Sequence, residues 1–82
     1  MNKAECLKKA KTARHVAKGA KATAAIYAAF FGGADDLTQK ALLDADVATE
    51  VAAKWERIAE WHPKTRAAAL RNGEIPAYMF GY

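Results

Sequence analysis

The chain has no serine, one cysteine and two prolines, and its 82 residues contain no apolar run long enough to cross a bilayer. Cys6 alone allows neither an internal disulfide nor a thiolate metal cluster, and it suits a reducing compartment. The longest stretch without charge runs from Ala22 to Ala34, thirteen residues, too few to span a membrane. Lysines and arginines recur from Lys3 to Lys21, a basic segment too long for a secretory leader. A cytoplasmic location is expected. Large side chains are scarce as well: 52% of residues are apolar, but 21 of these are alanines. What remains fills one small core, so residues 1–82 are read as a single domain with little stability to spare.

The groups that carry chemistry are equally sparse. The hydroxyl nucleophiles are threonines at positions 12, 23, 38, 49 and 65. Helical spacing sets Cys6 and His15 on opposite sides of one helix, so they form no dyad. Neither His15 nor His62 has a metal-ligating neighbour three or four residues away. Asp44-x-Asp46 lacks the glycine and glutamate that continue a calcium loop, and Gly32-Gly33 belongs to no phosphate-binding motif. The expectation is a non-enzymatic protein with no catalytic residues, no metal, no cofactor and no small-molecule substrate.

What is present is charge, and it is segregated. Residues 1–21 carry Lys3, Lys8, Lys9, Lys11, Arg14, Lys18 and Lys21 against Glu5 alone; residues 35–50 carry five acids against Lys40. The net charge is +4. A basic block of this kind attracts nucleic-acid phosphate, an acidic protein surface or anionic lipid.

The spacing of apolar residues predicts helices. Asn2 and Glu5 form the N-x-x-E signature of a capping box, and Gly32-Gly33 provides a stop, so a basic helix is expected to occupy residues 1–31. Cys6, Ala10, Ala13, Ala17, Ala20, Ala24, Tyr27 and Phe31 form one stripe at alternating steps of four and three, with the lysines opposite. Ile26, Tyr27, Phe30 and Phe31 concentrate apolar weight at the end of this helix, which is therefore expected to be buried. Asp35 or Asp36 caps a helical return over 36–62, with a stripe through Leu37, Ala41, Asp44, Ala48, Val51, Trp55 and Ile58. Asp44 in mid-stripe favours a break near residues 44–46; a continuous helix with Asp44 paired to a base is the alternative. His62 is expected at the end of that return, favourable to its dipole. Residues 63–82 read as a short helix, stopped at Asn72-Gly73, and an extended tail or edge strand containing Pro76. The expected fold is all-α: a long N-terminal helix packed antiparallel on a helical return, plus a short C-terminal helix and tail.

Residues 65–81, T-R-A-A-A-L-R-N-G-E-I-P-A-Y-M-F-G, resemble excisionase and MerR-type small winged-helix DNA-binding proteins, at the point where the recognition helix turns at a glycine into a wing strand. The resemblance implies that Gly73 makes a positive-φ turn and that residues 51–60 form the first helix of a helix-turn-helix. It further implies that Lys64, Arg66 and Arg71 contact DNA. It covers about a fifth of the chain; Met79 stands where that family has a base, and the returning wing strand is missing.

Two functions follow. The first is a DNA-associated regulator of a phage or mobile element, binding double-stranded DNA through Lys8, Lys11, Arg14, Lys18 and Lys21 together with Lys64, Arg66 and Arg71. Its location would be the host cytoplasm if phage-encoded. The second is a phage-type inhibitor or adaptor that holds a host protein through Tyr78, Met79, Phe80 and Tyr82. A homo-oligomer closed through the alanine stripe is a third, structural option. Membrane-surface binding is disfavoured, because alanine inserts poorly.

Overall fold

A computed structural model describes all 82 residues. Helix α1 spans Lys3–Phe31, α2 Asp36–Ala59 and α3 Pro63–Arg71, and a 3-10 turn follows at Ala77–Gly81. No strand is present, so the all-α architecture is as expected.

Local chemistry fixes the helix ends. The Glu5 amide donates to Asn2 Oδ1 at 2.8 Å and the Asn2 amide donates to Glu5 Oε1 at 3.2 Å, which closes the capping box. At the other end Gly32 takes φ 88°, in the left-handed region, and its N–H donates to the Ala28 carbonyl. Asp35 caps α2 with both carboxylate oxygens: Oδ2 accepts from the Thr38 amide at 2.9 Å and Oδ1 from the Thr38 hydroxyl at 2.6 Å. Four residues separate α1 from α2, so the two helices return on one another as a hairpin, and the molecule measures 49 × 20 × 14 Å.

The break expected near Asp44 does not occur; α2 is one continuous helix. Ala41, Ala48, Val51, Trp55 and Ile58 of the expected stripe are buried, with Ala45, Ala52 and Ala59 beside them; Leu37 and Asp44 are exposed, and Thr38 and Ala45 take the seam at those two levels. With its carboxylate in water, Asp44 carries no burial cost and needs no interruption.

The core lies at the end of the hairpin that holds both the N-terminus and the C-terminal segment. Cys6, Ala10 and Ala13 of α1 meet Val51, Trp55 and Ile58 of α2, and Ala69, Ile75 and Met79 close the cluster. The tail is neither extended nor an edge strand. It winds into the 3-10 turn, and the buried Trp55 indole Nε1–H donates to the Met79 carbonyl at 2.8 Å. Phe80 packs edge-on against Trp55 at 5.2 Å. Lys9 Nζ donates to the main-chain oxygens of Phe80 and Tyr82 at 2.9 and 2.8 Å. His62 starts α3 instead of ending a helix: its Nδ1 accepts from the Lys64 amide, with Pro63 in the first helical position. Gly73 has φ 68°, the positive-φ turn expected there.

At the hairpin tip the expectation of burial fails. Phe30 is 79% exposed, and Ile26 and Phe31 are each 57% exposed. The buried residues near the tip are small, Ala24 of α1 and Thr38 and Ala41 of α2, and the C-terminal segment packs at the opposite end. Concentrated apolar weight in the sequence has no third element there to cover it.

Candidate nucleic-acid interface

The bases of α1 fall into two groups. Lys3, Lys9 and Arg14 are engaged within the chain: Lys3 pairs with Glu60 at 3.2 Å, Lys9 holds the tail, and Arg14 pairs with Glu56 across the hairpin. Lys8, Lys11, Lys18 and Lys21 are exposed and form no ion pair. From Lys8 to Lys21 the helix rises about 20 Å. Lys18 and Lys21, together with Arg14 and Thr49, line a shallow groove at one side of the α1–α2 junction. No ion pair between the helices occurs on the tip side of Arg14–Glu56.

Arg66 must be withdrawn from the DNA-contacting set. It is 4% exposed, and its guanidinium makes four bonds to main-chain carbonyls. Nε donates to Ile58 O at 3.2 Å, Nη2 to Ala59 O at 2.9 Å and Trp61 O at 3.0 Å, and Nη1 to Met1 O at 3.4 Å. Three of these acceptors lie at the C-terminal end of α2 and in the turn after it, where the helix dipole favours a cation, and the fourth is the Met1 carbonyl. Lys64 and Arg71 remain exposed on α3. No wing strand follows them.

The proposed partner-binding set also divides. Met79 is 1% exposed and belongs to the core, so it cannot anchor a partner. Tyr82 is half-buried, with its main-chain oxygen held by Lys9. Tyr78 is 51% exposed, and its hydroxyl accepts from Lys54 Nζ at 3.0 Å. That bond, followed by the Glu50 carboxylate at 3.1 Å, raises the Lys54 pKa. Phe80 is 39% exposed while it packs on Trp55. The alanine stripe of α1 is occupied by α2 of the same chain, so no oligomer can close through it.

Cys6 is fully buried, and desolvation pushes its thiol pKa up despite the opposing effect of the nearby Arg66 charge. His15 is exposed on α1 and His62 is an N-cap.

Sequence reasoning missed the Arg66 cage and the Lys9 clamp. The first had a signal: Arg66 sits three and four residues before Ala69 and Leu70, on the face that α3 turns to the core. The Lys9 clamp joins residues more than seventy positions apart, and no local pattern marks such a pairing.

The chain matches no protein-family model, no curated protein and no solved structure.

Proposed function

We propose that this chain is a non-enzymatic binding protein that associates with double-stranded DNA through the outward bases of α1. One observation carries the reading: Lys8, Lys11, Lys18 and Lys21 are exposed on a single rigid helix without a carboxylate partner. Cations held in a row by a helix neutralise successive phosphates without the ordering cost that a flexible tail incurs. Lys64 and Arg71 on α3 extend the basic character, and the resemblance of residues 65–73 to a recognition helix suggests a regulatory role at DNA. The contribution of the α1 lysines is sequence-independent, since phosphate contacts position a protein but do not read bases.

The test is fluorescence anisotropy of a labelled duplex, comparing the natural chain with one carrying Lys→Gln at positions 8, 11, 18 and 21. The natural chain is expected to bind and the variant to lose most of its affinity while keeping its helicity. Equal affinity of the two chains would overturn the reading.

The alternative, an inhibitor or adaptor docking on a host protein, is supported by Trp61, 40% exposed in a cleft that it lines with Ile58, Ile75, Pro76 and the charged Lys54, Arg57 and Glu74, and by Tyr78, 51% exposed and bonded to Lys54 at that cleft. Its anchors are these two rings. A Tyr78→Ala, Trp61→Ala chain that binds DNA normally but no longer inhibits or recruits its host target would favour it.

A further inference from the structure

At 100° per residue, Leu37, Lys40, Asp44, Val47, Val51 and Ile58 share one face of α2. The two halves of this face differ. Val51 and Ile58 are buried in the cluster that Ile75 and Met79 of the C-terminal segment complete. That segment does not reach the other half, where Leu37 is 52% and Val47 38% exposed. There the helices form an open groove lined by Thr23 and Tyr27 of α1 and by Leu37, Lys40, Ala41 and Asp44 of α2. Phe31, 57% exposed, packs on Tyr27 at the groove's end. Tyr27, Leu37 and Ala41 give the groove its apolar part and Thr23, Lys40 and Asp44 its polar part, and neither Lys40 nor Asp44 takes part in an ion pair.

From this pattern we infer that the groove is covered by a second copy of the chain, the two α2 helices packing antiparallel about a two-fold axis. A two-fold interface requires a patch complementary to itself. An antiparallel pairing centred at position 42 brings Lys40 opposite Asp44 of the second copy, and the symmetry repeats this pair. The same register brings Leu37 opposite Val47, again twice. A parallel pairing in register sets Lys40 against Lys40 and Asp44 against Asp44, and charge repulsion disfavours it. Tyr27 and Phe31 flank the contact from α1 and gain the cover they lack in the single chain. The result extends to the tip half the burial that the C-terminal segment gives the other half. Lys18 and Lys21 line a separate groove with Thr49 and stay free, so the inference is independent of the DNA-binding reading.

The test is sedimentation equilibrium of the full chain at millimolar concentration without nucleic acid. A mass of twice 8.9 kDa is expected for the natural chain. Lys40→Asp alone and Asp44→Lys alone create like-charge contacts, and each is expected to raise the dimer dissociation constant about tenfold or more. Combining both substitutions in one chain restores the dimer, and mixing the two single variants yields a heterodimer. All four positions substituted or paired here are solvent-exposed in the single chain, so each variant is expected to keep its helicity, which circular dichroism checks. A chain that remains monomeric throughout overturns the proposal, as does a dimer indifferent to both charge reversals. So does a monomer that instead binds phosphatidylcholine–phosphatidylglycerol vesicles through Tyr27 and Phe31, which would assign the groove to lipid.

Discussion

Arg66 is the residue on which the closed end of the molecule turns. Its four carbonyl acceptors belong to the end of α2, the turn after it and Met1 ahead of α1. Arg66→Met keeps the volume and deletes every donor, leaving buried acceptors unpaired. A loss of about 3 kcal/mol is expected in urea unfolding, with DNA affinity unchanged in the folded fraction. A stability change near zero combined with weakened DNA binding would show that Arg66 is a contact residue after all. Cys6 gives a second check on the same region. Buried and with a raised pKa, it is expected to resist thiol reagents in the native chain and to react at once in denaturant. Fast native labelling would show that α1 opens at its start. At the hairpin tip, hydrogen bonds from Thr38 hold the Asp35 pKa below the usual carboxylate range. A depressed pKa stabilises the fold at neutral pH and loses that contribution as pH falls through the folded-state value. Protection of the amides in the first turn of α2, taken relative to the intrinsic exchange rate at each pH, is therefore expected to fall in acid, and Asp35→Asn is expected to remove most of that pH dependence.

The two long helices differ in how plainly their sequences announce them. The start and stop of α1 are written in side chains that act within one turn, Asn2 with Glu5 and then Gly32, and those limits were legible. The seam of α2 was harder. The stripe from Leu37 to Ile58 holds at Ala41, Ala48, Val51, Trp55 and Ile58, but at two levels the adjacent Thr38 and Ala45 are the buried residues, and only packing distinguishes such neighbours. Placing residue 44 in the stripe put a carboxylate in the core and suggested a break; the seam through Ala45 leaves it in water. The tail misled for a related reason: Pro76 suits an edge strand and equally the entry to a 3-10 turn, and the choice depends on Trp55, distant in sequence. The lysines of the candidate interface were legible from spacing, but the removal of Arg14 into a pair with Glu56 and of Arg66 into a carbonyl cage was not, because both depend on tertiary neighbours. Unequal packing along the hairpin gives its own test. Trp55→Ala, at the buried end, is expected to cost about 3–5 kcal/mol. Phe30→Ala, at the exposed tip, is expected to change stability by no more than about 0.5 kcal/mol. Equal effects would contradict the division into a packed end and an open tip.

As a whole the molecule is a thin lever with separate surfaces. The packed end carries the core and the C-terminal cover; the outward side of α1 carries unpaired lysines; the tip half of one flank carries an uncovered groove. No helix is long and apolar enough to cross a membrane. This arrangement keeps the proposed phosphate contacts apart from the proposed subunit contact, so each can be removed without the other. The most direct measurement of the central claim is the slope of log affinity for duplex DNA against log salt concentration. With four lysines contacting phosphate, affinity is expected to fall roughly a hundredfold between about 50 and about 200 mM salt. Each Lys→Gln substitution at position 8, 11, 18 or 21 should then reduce the slope by about one. A slope near zero, or one that these substitutions leave unchanged, would contradict the assignment of the α1 face to DNA.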